Sequence, residues 1–212
     1  MNLPADQRPP HYEPSGPGYC YNYDNMKYNK LSSEDRDNTE GQLGRELRGE
    51  VLLGSRCPNG RVEVIATSPF LDDETPFPTL FWLTCPLLKY AVARLENGDF
   101  RQGLRERLEG DPDFAKALKG AEKDYFEERE RWALEMGRRK AGVYFEGRRG
   151  IGGTVNGGMK CLHAHLAHFL AGHANPVGAE VASALSDDPL KVWQKNNCAG
   201  NCESFLKREG RQ

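Results

Sequence analysis

Val51-Leu-Leu-Gly-Ser-Arg-Cys57, Pro58-Asn59-Gly60 and Arg61-Val-Glu-Val-Ile-Ala-Thr67 run on without a gap, and their reading decides the fold. Pro-Asn-Gly supplies the backbone angles of a tight turn, and β-branched residues follow it. The spacing predicts a hairpin whose turn Cys57 enters. A polar loop over residues 71–75 comes next, and Pro78-Thr-Leu-Phe-Trp-Leu-Thr84 reads as a buried strand. Residues 50–84 therefore carry a small antiparallel sheet.

Downstream the period changes. Proline suits the first helical turn, so Cys85-Pro86 starts a helix with Leu87, Leu88, Ala91, Val92 and Leu95 as its apolar stripe, ended by Gly98. Phe100, Leu104 and Leu108 predict another, closed by Gly110. Asp111-Pro112 caps a long helix along which Phe114, Leu118, Ala121, Tyr125 and Trp132 keep helical spacing. Its charges nearly cancel, as on a solvated outer face with i,i+4 pairs. Helical spacing resumes up to Ala171, Asn175-Pro-Val-Gly178 breaks it, and Ala179–Leu185 reads as a short last helix. The expected class is α+β, with the sheet packed against four to five helices in one domain over residues 50–202. Residues 1–49 would be an extension, irregular up to residue 40 and with a short helix over 41–50, and residues 203–212 a tail.

Composition narrows the function. The chain has 212 residues, 28% of them charged, and a net charge of -2, with a mean hydropathy of -0.72. That balance gives no global pull towards nucleic acid or anionic membrane. No apolar run is long enough to span a bilayer, and no basic n-region with an apolar core opens the chain. The expected compartment is the cytoplasm.

In that setting the six cysteines point to metal binding or catalysis rather than disulfides. Cys57 precedes a turn proline, Cys85 a helix-initiating proline, and Cys161 follows a glycine loop. All three fall at element ends, where backbone N–H groups and helix N-termini stabilise thiolate. Two Cys-Pro pairs are also familiar from iron–sulfur ligation. No C-x-x-C occurs, so a zinc finger or ribbon is disfavoured. Near the C-terminus Cys198 and Cys202 lie close together.

Lys160-Cys-Leu-His-Ala-His-Leu-Ala-His168 adds three imidazoles. If the helix already includes Cys161, then Cys161, His165 and His168 share one face. If Cys161 lies just before the first turn, Cys161 and His163 converge instead. Periodicity leaves both registers open. His173, beyond Gly172, reads as a surface residue at a helix end.

Gly153-Thr-Val-Asn-Gly-Gly158-Met-Lys160 fails as a phosphate loop, because Lys-Ser/Thr does not follow the last glycine. Gly157, Lys160, Arg148 and Arg149 remain a candidate anion site, against the plainer reading of a loop that shapes its surroundings. The basic run over 138–149 is too short to argue for RNA.

The chain resembles the bacterial domain of unknown function family 501. The resemblance rests on Cys57-Pro-Asn-Gly60, Thr75-Pro-Phe-Pro-Thr79 with Trp82-Leu-Thr-Cys-Pro86, and Leu95-Glu96-x-Gly98. It continues through Asp124-Tyr125, Lys160-Cys-Leu-His163 with Ala167-His168, and Asn175-Pro-x-Gly178. It implies a site rather than a reaction: Cys57, Cys85, Cys161, His163, His168 and one tail cysteine recur, His165 does not, and the register with Cys161 before the helix is favoured.

The leading expectation is a metal-centre protein. Cys57, Cys85 and Cys161 would be ligands, with His163, Cys198 or Cys202 as the fourth, holding zinc or a Cys-ligated [4Fe–4S] cluster. An open fourth position would make His168 or Asp124 a candidate general base. Two alternatives stand beside it. One is a non-enzymatic binding protein for an anionic ligand, RNA or a protein partner through residues 138–160. The other is a metal-free enzyme with Cys161 as nucleophile and a nearby histidine as base.

Overall fold

In the computed structural model, residues 28–71, 73–135, 145, 147–155 and 158–186 are described. Among them lie a three-stranded antiparallel sheet, six α-helices and one 3₁₀ turn, so the expected α+β class holds. The strands are β1 (Val51–Arg56), β2 (Val62–Thr67) and β3 (Phe81–Leu83), in the order β1-β2-β3. The helices are α1 (Ser33–Leu43), α2 (Pro86–Glu96), α3 (Phe100–Gly110), α4 (Pro112–Glu135), α5 (Leu162–Leu170) and α6 (Pro176–Ser186).

The hairpin closes as its sequence predicts. Gly60 takes a φ of 78°, its N–H donates to the Cys57 carbonyl, and the Cys57 N–H donates to Arg61. Register shifts after Leu53 bend β1, and Gly54 sits at the bend. A Cβ there would lie 2.8 Å from Val64 Cγ1, so only glycine lets the two strands approach. The third strand is shorter than expected and begins at Phe81.

Helix α1 departs from expectation. It starts at Ser33, within the stretch read as irregular, and ends before the predicted span of 41–50 is half complete. Ser32 caps it by accepting the Asp35 N–H, and Gly44 closes it at a φ of 68°. Asp35 then pairs with both terminal nitrogens of Arg56, at 2.8 and 2.7 Å. The Arg56 guanidinium brings the Asp35 carboxyl down to about 2. The apolar stripe could not foretell this helix, because it is polar almost throughout and is held by its caps, the Asp35–Arg56 pair and the bonds of Arg36 and Glu40 to the Leu47 backbone.

The sheet separates two apolar layers. Val51, Leu53, Val62 and Ile65 form one small cluster, packed with Leu43 and Leu47. Val64, Ala66, Phe81 and Leu83 face the main core, which the helices complete. Helix α5 lies at the centre, against β3 and α6. All of it but His163 is buried, as an almost uniformly apolar helix requires. Its histidines are thereby carried into the interior.

Helix α4 corrects the picture of a purely solvated charged face. Arg129 is fully buried and Glu128 nearly so. Arg129 donates to the carbonyls of Pro78 and Arg148, and its guanidinium lies over the Phe145 ring. A planar, weakly hydrated cation tolerates such a place where an ammonium would not. No helix among the described residues is long and apolar enough to cross a membrane.

Candidate metal centre

Helix α5 begins at Leu162, with Cys161 as its N-cap in extended conformation. The register in which Cys161 precedes the helix is the observed one. The cap residue makes no side-chain cap bond, so the first-turn N–H groups need an outside acceptor. Glu96, the last residue of α2, supplies it: the Leu162 N–H donates to Glu96 Oε1 at 2.6 Å. A carboxylate is unfavourable at the C-terminus of α2 but favourable at the N-terminus of α5.

The contact with α5 brings Glu96 beside His163. His163 Nδ1 lies 3.3 Å from Glu96 Oε1 and 3.9 Å from Cys161 Sγ. His163 Nε2 lies 3.0 Å from the Lys89 carbonyl oxygen. A carbonyl only accepts, so Nε2 carries a proton and Nδ1 faces the sulfur and the carboxylate. Burial lowers the His163 pKa, but the Cys161 sulfur, the Lys89 carbonyl and the Glu96 carboxylate together raise it above the ordinary imidazole value. All three side chains are half-buried. A sulfur, a nitrogen and an oxygen thus meet within 4.8 Å of one another.

A second group lies deeper. Asp124 on α4 meets His168 and His173, with His173 Nδ1 at 2.6 Å and His168 Nε2 at 3.4 Å from the same carboxylate oxygen. Only the first is a well-formed hydrogen bond; His168 Nε2 has no hydrogen-bond partner among the described residues. The two imidazoles stack at 4.4 Å between centroids. Desolvation raises the Asp124 pKa, yet the two imidazoles hold it far below the usual carboxylate range.

Asn175 sets the tautomers of the buried histidines. The Gly178 N–H donates to Asn175 Oδ1 at 2.9 Å, which identifies that atom as the oxygen. His165 Nδ1, 3.3 Å from Oδ1, must therefore donate to it. Asn175 Nδ2 donates to His168 Nδ1 at 3.2 Å, which leaves the His168 proton on Nε2, towards Asp124. Metal ligation by His168 Nε2 would need a proton on Nδ1, where it would face the amide's N–H. The Asn175 contact thus turns the protonated nitrogen of His168 towards Asp124, whereas the Lys89 contact turns the unprotonated nitrogen of neutral His163 towards Cys161 and Glu96.

The other candidates fall elsewhere. Cys161 belongs to the first of these three-member groups, whereas Cys57 and Cys85 belong to neither among the described residues. Cys85 caps the start of α2, eleven residues before Glu96, or about 16 Å along the helix. Lys160, Arg148 and Arg149 are exposed. The Arg149 guanidinium lies over Phe126, and the Lys160 carbonyl accepts from Arg101. Gly157, Cys198 and Cys202 lie outside the described residues. Two residues of these groups carry no local sequence signal. Glu96 stood in the Leu95-Glu96-x-Gly98 motif with no sign of its partner. His173, at a position after Gly172 where the sequence predicts a surface residue, is buried against Asp124.

Among protein families, the model described as Protein of unknown function (DUF501) matches residues 53–183. No curated protein and no solved structure matches the chain.

Proposed function

The chain belongs to the DUF501 family, and we propose that it is a metal-centre protein whose ligands are Glu96, Cys161 and His163. One observation carries this reading: a single imidazole nitrogen, His163 Nδ1, faces both a thiol sulfur and a carboxylate oxygen. That nitrogen has at most one proton to give. A divalent cation satisfies both acidic donors at once and cancels their charge.

Bonds of about 2.3 Å to sulfur and about 2.0–2.1 Å to nitrogen or oxygen give tetrahedral edges of about 3.3–3.6 Å. The two edges at His163 Nδ1 are 3.3 and 3.9 Å, and the sulfur lies within 4.8 Å of the carboxylate oxygen, so Cys161 must close on both partners to complete a tetrahedral set. The Lys89 carbonyl would be the outer partner that fixes the ligating imidazole. Mixed sulfur, nitrogen and oxygen donors suit zinc better than an iron–sulfur cluster, which takes mostly thiolates. Three protein ligands leave a fourth position for water or substrate, the arrangement of catalytic zinc sites. Lewis-acid activation of water or a carbonyl is the chemistry such a site supplies.

Metal analysis of protein purified anaerobically tests this. Stoichiometric zinc is expected in wild type and in Cys57→Ser and Cys85→Ser, and its loss in Glu96→Gln, Cys161→Ser and His163→Gln. A brown, sulfide-containing protein that bleaches in Cys57→Ser and Cys85→Ser would replace this reading with a thiolate-held cluster.

A second reading draws on the raised His163 pKa. Cys161, His163 and the Lys89 carbonyl stand as nucleophile, base and orienting group, with the sulfur at a helix N-terminus. Metal-free protein in which iodoacetamide alkylates Cys161 rapidly, and slowly in His163→Gln, supports this reading over the first.

A further inference from the structure

The group around Asp124 extends outward to Tyr28. Its phenolic oxygen lies 3.2 Å from His173 Nε2, and His173 Nδ1 lies 2.6 Å from Asp124 Oδ2. An ionised carboxylate only accepts, so Nδ1 carries the proton. In the neutral ring Nε2 then presents its lone pair to the phenol and accepts its O–H, the arrangement a general base needs. Asp124, His173 and Tyr28 therefore repeat the order carboxylate, imidazole, hydroxyl, in which the acid orients the base and the base takes the hydroxyl proton.

The surroundings fit that role. His168 stacks on His173, and burial pushes its pKa down to about 3. His173 thus stacks on a neutral ring, which does not repel a proton arriving at Nε2. The Phe81 ring packs against Tyr28, His168 and His173, fixing the phenol and both imidazoles from one side. Asp124 is 51% exposed and Tyr28 half-buried, so the row borders solvent. A purely structural tie needs only the phenol and one acceptor. It does not need a tautomer set by a carboxylate, with Asn175 holding the ring beneath.

We propose that Tyr28, His173 and Asp124 form an acyl-accepting site, with Tyr28 Oη as nucleophile, His173 as general base and Asp124 as the residue that orients it. The substrate class is an activated ester or thioester. In the step, Tyr28 Oη attacks the carbonyl carbon, a C–O bond forms and the bond to the leaving group breaks. The phenolic proton passes to His173 Nε2, from which it can go to the departing group. This site is independent of the ligands at Cys161.

The test is acetylation by p-nitrophenyl acetate, followed by peptide mapping at Tyr28 and, for reference, at half-buried Tyr90. Tyr28 is expected to acetylate at least about tenfold faster than Tyr90, and the advantage to vanish in His173→Gln and Asp124→Asn, as loss of a general base requires. The metal content and the Tyr90 rate should be unchanged in both variants, which reports that the fold survives. Equal rates at the two tyrosines in wild type, or a Tyr28 rate unaffected by His173→Gln, would overturn the proposal.

Discussion

His163 Nε2 sits 3.0 Å from the Lys89 carbonyl oxygen, and this contact decides what the opposite nitrogen can do. The carbonyl fixes the proton on Nε2 and leaves Nδ1 to the sulfur and the carboxylate. Nitrogen-15 NMR of metal-free protein above the His163 titration is expected to show the Nε2–H tautomer. A neutral His163 protonated only at Nδ1 would remove the geometric basis of the site.

The buried histidines make the fold acid-sensitive. Burial lowers His165 to about 4 and His168 to about 3. Above pH 6.5 both are neutral folded and unfolded, and their contribution is fully present. Below that value the unfolded chain takes up protons that the folded chain refuses until pH about 4 and about 3. Stability should fall through that window, by about 1.4 kcal/mol per pH unit for each histidine. Urea titrations between pH 7 and pH 4 measure the slope, and His165→Asn, which retains a donor towards Asn175, should reduce it by roughly half.

Asn175 partners two imidazoles and the Gly178 N–H from a buried position. Asn175→Ala leaves all three without it, at a cost of about 2–4 kcal/mol in denaturant unfolding. Asn175→Asp keeps an acceptor for Gly178 and His165 but loses the donor to His168. It is expected to move the His168 proton to Nδ1, which NMR reads directly.

Gly178 is where α5 and α6 touch. A Cβ there would be driven into the His165 carbonyl and the Phe169 Cβ, and neither can retreat within a packed core. Gly178→Ala should cost on the order of 3 kcal/mol, despite alanine's better helix propensity. An unchanged melting temperature would show that the helices pack further apart than described.

Much of the fold was legible because local chemistry writes it. Pro58-Asn59-Gly60 makes its turn, Pro86 opens its helix, and Phe100–Gly110 begins and ends where its apolar spacing and glycine place it. Helix α1 was not legible, because caps, the Asp35–Arg56 pair and polar bonds to the Leu47 backbone hold it rather than an apolar face. The site divides in the same way. Cys161 and His163 are two residues apart, so their meeting follows once the helix start is known. Glu96 reaches them from 65 residues upstream of Cys161, and Tyr28 meets His173 across 145 residues. No local pattern encodes such pairs. His173 follows a glycine that looks like a helix end, and only the convergence of Phe81, His168, Tyr28 and Asp124 from distant elements buries it.

If Cys161, His163 and Glu96 hold one divalent cation, cobalt(II) titration of the metal-free protein will reveal it. A stoichiometric thiolate-to-cobalt charge-transfer band is expected in wild type and in Asp124→Asn and Cys85→Ser, with visible bands of four-coordinate cobalt. The charge-transfer band should be absent in Cys161→Ser and weakened in Glu96→Gln. No band in wild type, or a band that survives Cys161→Ser, would show that these three residues do not hold the cation.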